Sequence, residues 1–361
     1  MADDPVGPTA PRTIGPLIGH AAAEKTLVDA WTSGQMPNAW LISGPKGIGK
    51  ASLAYMFASL ILKGEGGDLF GDVPVGLEMA PDDPVSAMVI NSTHPDLVVV
   101  QRTVNEKTKR MREEIVIDDA RKASGLFART SSAGGWRVVI VDAADELNKN
   151  SANALLKLVE EPPEKAVVLL VAHRPGRVLL TLRSRCRHLR LGALTSDQVA
   201  AVLAAHHADT DTTAASSAAL ATLAEGSPGR ALRLASVDGL ALHGAMLEIL
   251  ADLPDMDIPA QHKFADRMAR GGNTETYRVF SELLLGWMTR LIQTGAGHPP
   301  AMAPPGEADL SARLLPRRSL DQWVGLWENV TEDLAKGQGL NLDRKQVVLN
   351  LFSTLQEAIA Q

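Results

Sequence analysis

The chain has 361 residues, of which 45% are hydrophobic and 22% charged, with a net charge of −6 and a single cysteine, Cys186. This length accommodates two or three domains with buried cores. The acidic balance argues against a protein whose main role is DNA binding, the lone cysteine excludes an internal disulfide framework, and no run approaches the roughly 18 apolar residues of a membrane span.

The first 14 residues are acidic and rich in proline, which predicts a flexible lead over 1–14. They lack the positive and apolar regions of a signal peptide. Together with the single cysteine, which suits a reducing compartment, this predicts a cytoplasmic protein.

A glycine-rich loop between a predicted strand and a predicted helix is the strongest local signal. A first helix is predicted over 21–31, a short strand over 38–43 and an amphipathic helix over 50–62. The loop between the last two reads Gly-Pro-Lys-Gly-Ile-Gly-Lys over 44–50 and fits the first seven places of the phosphate-binding pattern G-x-x-x-x-G-K-[ST].

The eighth place of this pattern is Ala51, where a serine or threonine hydroxyl would ligate nucleotide-bound Mg²⁺. The loop residues able to contact phosphate are Gly44, Gly47, Gly49 and Lys50. They predict a vestigial site with two open interpretations: a purely structural turn, or weak binding of ATP or ADP without Mg²⁺.

Four segments follow this helix. Residues 63–90 are rich in Gly, Pro and Asp and predict an irregular insertion, and 97–100 predict a strand. The charged stretch 102–114 predicts a solvated loop or hairpin, with a DNA contact as the alternative. A helix is predicted within 115–128, capped by Asp118 or Asp119.

The apolar run 136–141 predicts a buried strand that ends at Asp142. An acidic residue at this point supports Mg²⁺ in P-loop enzymes. In oligomeric ATPases of the AAA+ class the next residue is a glutamate that polarises the attacking water, but here it is Ala143. Two mechanistic positions therefore both carry a methyl group, which predicts that hydrolysis is absent.

A helix over 151–161, stopped by Pro162-Pro163, and a strand over 167–171 complete an alternating pattern that predicts a parallel α/β sheet. Beyond residue 192 the pattern is helical. Thr195 to Gln198 resembles a capping box, 226–229 separates two helices, and 236–240 predicts a hinge. Long helices are predicted over 277–292, 320–334 and 345–359, with Trp287, Trp323 and Trp327 on their packed faces.

The sequence 153–163 (Asn-Ala-Leu-Leu-Lys-Leu-Val-Glu-Glu-Pro-Pro), followed by Ser184-Arg185-Cys186, resembles the bacterial clamp-loader family. These are AAA+ subunits that open the sliding clamp for the replicative DNA polymerase. With Ala51 and Ala143, the resemblance is to the delta prime branch rather than to the ATP-hydrolysing tau/gamma branch, and it is close over about 15–235.

The resemblance implies an α/β AAA+ P-loop domain with a parallel sheet over 15–192. A small helical lid over 193–238 and an all-α collar over 239–361 would follow. In the family the collars assemble a pentameric ring with tau/gamma and delta subunits, which meets the sliding clamp and primed DNA as a complex of the DNA polymerase III holoenzyme.

The resemblance also implies that Ser184, Arg185 and Cys186 lie at a subunit interface. Arg185 would complete the ATP site of a neighbouring subunit as an arginine finger in trans, a role that suits a planar, always charged guanidinium.

Three features depart from the active members of the family. The insertion 63–90 has no cysteine and therefore no four-cysteine zinc module, which predicts a protein without zinc. The sensor strand ends in Ala172-His173 rather than Thr or Asn. The nucleotide-sensing arginine of the lid falls near Gly229, with Arg230 shifted by one residue.

The rival hypothesis is an active tau/gamma-like ATPase in which Ser52 replaces the missing hydroxyl. A helix turns about 100° per residue, so that Ser52 would point away from the phosphates. A DNA-binding module is a third hypothesis, which the net charge disfavours. Cys186 and His173 are predicted to serve packing, and Glu160 and Glu161 a helix end near the interface.

Overall fold

A computed structural model of the chain forms two compact units. The first unit comprises the described residues up to His206 together with Gly226–Gly229. The second comprises 214–225 and the described residues from Arg230 onward. The predicted lead, 1–14, lies outside the described residues. Described are 17–64, 77, 83–108, 111–131, 134–206, 214–270, 274–339 and 342–360.

The first unit is built on a five-stranded parallel sheet, as predicted. Its strand order is β2-β3-β4-β1-β5, which places the strand before the glycine loop between β4 and β5. Every residue of β1 and β4 is buried, as expected for parallel strands covered on both faces. The strands are β1 (Ala39–Ser43), β2 (Leu97–Gln101), β3 (Arg137–Asp142), β4 (Ala166–Ala172) and β5 (Arg187–Arg190).

Helices follow the strands of this unit in alternation. The predicted helices at 21–31, 50–62 and 151–161 are confirmed with ends shifted by one or two residues. The helices are α1 (Ala21–Thr32), α2 (Lys50–Lys63), α3 (Pro84–Ile90), α4 (Ile117–Phe127), α5 (Lys149–Glu160), α6 (Leu180–Arg183) and α7 (Ser196–His206).

The irregular insertion predicted over 63–90 is wrong at its end, where α3 lies. The Asp83 side chain accepts a hydrogen bond from Ser86 N at 2.6 Å, and Pro84 occupies the first helical turn. Aspartate as N-cap followed by proline is a strong helix start. Residues 65–76 and 78–82 lie outside the described residues.

The predicted cap of α4 is also wrong. Val116 precedes the helix and provides no side-chain cap. Asp118 and Asp119 both lie inside the first turn, where the positive end of the helix dipole stabilises carboxylates. Asp119 is buried and lies 2.9 Å from Lys122 Nζ.

The stretch 102–114 carries an antiparallel bridge between Val104 and Met111, which confirms a hairpin.

The helix that follows Thr195 has the predicted capping box. Thr195 N donates to Gln198 Oε1 at 3.0 Å, and Gln198 N donates to Thr195 Oγ1 at 3.3 Å. These two hydrogen bonds satisfy orphan donors at the start of α7.

The second unit is helical, as predicted, and its three long helices are confirmed at slightly greater length. Trp287 and Trp323 are fully buried and Trp327 partly buried, which confirms their packing role. The helices are α8 (Ala214–Ala224), α9 (Pro228–Ser236), α10 (Gly239–Ala251), α11 (Ile258–Ala269), α12 (Thr274–Gly295), α13 (Glu307–Leu314), α14 (Leu320–Gly339) and α15 (Arg344–Ala360).

The chain bends by 79° between α9 and α10, within the predicted hinge 236–240. Within the described residues, no single helix is long and apolar enough to cross a membrane, and only α9 and α10 taken together reach that length and composition. The lid and collar boundaries, 193–238 and 239–361, stay predictions.

Candidate functional site

The glycine loop adopts a conformation that requires glycine. Gly44, Gly47 and Gly49 all have positive φ angles, of 150°, 80° and 100°. A Cβ atom on Gly44 would come within 2.3 Å of Leu191 O, so that no side chain fits there. The loop therefore keeps the backbone form of a phosphate-binding turn that leads into a helix N-terminus at Lys50.

Lys50 is almost completely buried at this helix start, and its Nζ atom donates to Pro45 O at 2.5 Å. Burial lowers the pKa of Lys50 to about 8, and the nearby carboxylates of Asp142 and Asp145 oppose that fall. The amine is therefore mostly protonated at pH 7 and contributes a positive charge to the loop.

His20 holds the loop from the side of α1. Its Nε2 atom lies 2.7 Å from Ile48 O, and since a carbonyl accepts, Nε2 carries the proton. Burial lowers the pKa of His20 despite this hydrogen bond, which favours the neutral imidazole.

The turn 226–229 is bonded directly to the loop. Ser227 Oγ donates to Lys46 O at 2.9 Å, and Gly229 N donates to Gly47 O at 2.8 Å. A Cβ atom on Gly229 would lie 3.0 Å from both the Cα and O atoms of Gly47. At the position where the resemblance predicts a nucleotide-sensing arginine, this chain therefore has backbone in contact with the loop.

Arg230, the residue one position further on, turns to a different partner. Its Nη1 atom lies 3.2 Å from Glu225 Oε2 within the second unit. The one-residue shift seen in the sequence thus gives this arginine an ion pair with a glutamate.

We predict that Gly229→Ala destabilises the protein by about 1–3 kcal/mol, the usual cost of forcing an extra group into a packed site. Urea unfolding would measure it. Gly192→Ala is the matched control, because a Cβ atom there meets nothing within 4 Å. Equal stability of the two variants would contradict the close contact at Gly47.

The end of β3 carries the second position at which the sequence predicts a missing catalytic group. Asp142 is the last residue of the strand, and Ala143, which follows it, is 2% exposed. Asp145 accepts hydrogen bonds from the backbone N–H groups of His173, at 2.8 Å, and Arg174, at 3.1 Å. These bonds tie the turn after β3 to the end of β4.

His173 stands at the end of β4, next to the start of the loop, where Gly44 N donates to Ala172 O at 3.3 Å. Burial, followed by the positive charge of Lys50, lowers the pKa of His173 to about 4. Its Nδ1 atom has no hydrogen-bond partner among the described residues. His173 is therefore a neutral, partly buried side chain.

Ser184, Arg185 and Cys186 lie between α6 and β5, the edge strand of the sheet. Ser184 Oγ donates to Thr181 O at 3.1 Å. Cys186 is buried, its Sγ atom lies 3.1 Å from Leu182 O, and burial raises the pKa of its thiol to about 12. The predicted packing role of Cys186 is confirmed, because such a thiol is inert at neutral pH.

Arg185 is exposed, as is Ser184, whereas Cys186 is buried. Its Nη2 atom lies 2.7 Å from Glu160 Oε1, its Nη1 atom donates to Thr181 O at 2.9 Å, and its side chain is 42% exposed. A second protein can therefore reach this guanidinium while Glu160 and Thr181 of the same chain still hold it.

The structure thus brings the predicted loop residues, Asp142 and His173 together at the carboxyl ends of β1, β3 and β4, and places Ser184 to Cys186 at the edge strand. Sequence reasoning missed the bonding roles of His20, Asp145, Ser227 and Gly229. The signals were present, since a histidine opens α1 and a Gly-Ser-Pro-Gly turn opens α9.

In the described part of the chain, no group of three or more His, Cys, Asp or Glu side chains is placed to hold a metal ion. The absence of zinc and the weak binding of ATP or ADP stay predictions.

Comparison with known proteins identifies relatives. Residues 19–195 match the family model described as DNA polymerase III, delta subunit. The chain is 35% identical over 152 residues to the DNA polymerase III subunit delta' of Pseudomonas aeruginosa, a match that covers 42% of each protein. It is 28% identical over 195 residues to the DNA polymerase III subunit tau of Bacillus subtilis, covering 52% of this chain and 31% of that protein.

The matches thus span less than half the length of these two relatives. Among solved structures, a gamma subunit-related protein of DNA polymerase III from Thermotoga maritima is similar with a TM-score of 0.46 at 15% identity. That similarity covers 92% of this chain and 99% of the other.

Proposed function

We propose that this chain, of which residues 19–195 match the family model described as DNA polymerase III, delta subunit, is a clamp-loader subunit that does not hydrolyse ATP. It joins tau/gamma and delta subunits in a pentameric assembly that loads the sliding clamp onto primed DNA. Its own contribution to hydrolysis is Arg185, which it supplies to the ATP site of a neighbouring subunit.

The observation that carries this proposal is a loop with the shape of a P-loop and without its chemistry. The glycines keep their positive φ angles and Lys50 is buried at the start of α2. Ala51, directly after Lys50, has no hydroxyl for Mg²⁺, and Ala143, directly after Asp142, has no carboxylate to activate water. Binding of the phosphates is retained at best, and catalysis lacks two of its parts.

The contacts of Ser227 and Gly229 support the same conclusion. The turn that opens α9 is hydrogen-bonded to the carbonyl oxygens of Lys46 and Gly47. No side chain at 229 is available to sense a γ-phosphate. We therefore propose that the loop serves mainly as a packing surface for this turn. In this proposal the loop binds ATP or ADP weakly, and the protein holds no zinc.

The position of Arg185 supports a role in trans. The residue is exposed beside the edge strand β5, and its guanidinium retains donors that the described residues do not use. Arginine is well suited to grip phosphate oxygens, since its planar fork can donate two parallel hydrogen bonds.

We predict that the isolated full-length chain hydrolyses ATP no faster than a buffer control, because Ala51 and Ala143 remove the Mg²⁺ ligand and the group that activates water. A coupled assay of phosphate release measures this, with the Lys50→Ala variant as the control for a contaminating ATPase. Steady turnover that Lys50→Ala abolishes would instead support the rival hypothesis of an active tau/gamma-like ATPase.

A further inference from the structure

The guanidinium of Arg185 is fixed by two contacts from two different elements. Glu160, the last residue of α5, lies 2.7 Å away through its Oε1 atom, and Thr181 O, in α6, accepts a hydrogen bond at 2.9 Å. The side chains of Arg185 and Glu160 are 42% and 37% exposed. The pair is therefore at the surface, and an approaching partner can reach it.

We infer that Glu160 is a positioning residue for Arg185, an inference that rests on the proposed role of Arg185 in trans. A guanidinium has five N–H donors. Glu160 and Thr181 engage one on each terminal nitrogen, which leaves three donors for a phosphate. Glu160 can thus remain bound to Arg185 while the guanidinium forms a two-point contact with phosphate oxygens.

The benefit of the pair is orientation before the phosphate arrives. A long, exposed arginine side chain samples many rotamers, and the freedom it loses on binding opposes the contact. Two contacts that already define the plane of the guanidinium remove part of that cost. The same logic governs designed sites, where a supporting hydrogen bond holds the residue that acts.

The backbone of α5 holds Glu160 in place. The helix starts at the Asn148 cap, which accepts a hydrogen bond from Ser151 N at 2.9 Å, and it packs through buried Leu155 and Val159. Glu160 sits in its last turn, where the helix dipole disfavours a carboxylate. The positive charge of Arg185 offsets this unfavourable position.

Glu161 provides a matched control from the neighbouring position. It is exposed and has no ion-pair partner among the described residues. Removal of either glutamate changes the net charge equally, but only Glu160 contacts Arg185. An exposed ion pair shifts an equilibrium by a factor of about 1.4 to 5, which sets the size of effect expected.

The experiment uses the complete clamp-loader assembly, rebuilt with full-length Glu160→Ala, Glu160→Gln or Glu161→Ala, each with Arg185 intact and with Arg185→Ala. The ATPase is measured in the presence of clamp and primed DNA. We expect Glu160→Ala to lower kcat at the one site that Arg185 serves by about 2- to 5-fold with little change in KM, so that the total rate falls by less than it does with Arg185→Ala. Glu160→Gln, whose amide oxygen still accepts, should retain most of the activity, and Glu161→Ala should match the unmodified chain.

The Arg185→Ala background separates positioning from other roles. If Glu160 acts through Arg185, Glu160→Ala has no further effect there, a non-additivity typical of residues that act as a unit. A loss that persists in this background, or a Glu160→Ala assembly as fast as or faster than the unmodified one, would overturn the inference. If Arg185→Ala itself leaves the ATPase unchanged, the proposed role in trans fails, and the inference fails with it.

Discussion

Replacement of Arg185 by alanine is expected to lower ATP hydrolysis by about 10³-fold at the one neighbouring site that this side chain serves, the lower end of the range for arginine fingers in GTPases. The physical reason is that an arginine on the transferred phosphoryl group stabilises charge that develops in the transition state. In an assembly with several ATP sites, the total ATPase rate should fall only by the part of that rate which the affected site contributes.

The measurement is the clamp- and DNA-stimulated ATPase of an assembly rebuilt with the variant, after its assembly has been confirmed by gel filtration. Folding and assembly should be nearly unaffected, because Arg185 is exposed and its ion pair with Glu160 is a surface pair, of a kind that contributes about 0–1 kcal/mol. Arg177→Ala is a matched control, since Arg177 is an exposed arginine of the same unit without an ion pair among the described residues.

Arg185→Lys sharpens this test. Lysine keeps the positive charge, but its ammonium is a point charge that cannot reproduce a planar two-point contact. We therefore expect the lysine variant to resemble the alanine variant rather than the unmodified chain. An unchanged ATPase with Arg185→Ala in a normally assembled complex would remove this residue from the mechanism.

The sheet and most of its helices could be predicted from the sequence because they follow from local signals. Apolar β-branched runs at 97–100, 136–141 and 167–171 gave three strands, and the Gly-rich loop fixed the start of α2. The edge strand β5 was not assigned, because Arg187–Arg190 has only one buried residue, Leu189. An exposed edge strand has no run of apolar residues for the sequence to reveal.

The candidate site was predictable where its residues fit a motif, and not where it depends on contacts distant in sequence. Lys50 and Arg185 were identified from their motifs. The hydrogen bond of Ser227 to Lys46 joins residues 181 positions apart, and the bond of His20 to Ile48 depends on how α1 packs. Hydrogen bonds of this kind have no sequence period and become visible only in the folded chain.

The buried ion network of the second unit lay beyond sequence reasoning for the same reason. Arg290 is almost completely buried. It donates to both oxygens of Glu307, through Nε at 2.7 Å and Nη2 at 2.6 Å, and it also pairs with Glu225. His243 Nε2 lies 2.8 Å from Glu307 Oε1. Glu307 therefore ties α10, α12 and α13 together.

Glu307→Ala is expected to destabilise the second unit by about 3–5 kcal/mol, because it leaves the buried guanidinium of Arg290 with only the half-exposed carboxylate of Glu225. Urea unfolding gives the free energy, and hydrogen exchange of α12 localises the loss to this unit. The control is Glu332→Ala, which breaks an exposed pair with Lys336 at 3.0 Å. Surface pairs of this kind contribute about 0–1 kcal/mol, so that comparable losses in the two variants would contradict a structural role for the buried network.

The contribution of Glu307 to the free energy of unfolding should decrease as the pH is lowered. Burial raises the pKa of Glu307, but hydrogen bonds and positive charge from His243 and Arg290 outweigh burial and hold that pKa below its usual range. A carboxyl whose pKa is lower in the folded chain stabilises it above the unfolded value of about 4.3, and this contribution is lost as the pH falls through the folded value. The stability of the unmodified chain should therefore approach that of Glu307→Gln, which cannot ionise, as the pH is lowered from 7 into this acidic range. A difference between the two that stayed constant on acidification would show that the charge of Glu307 does not stabilise the fold.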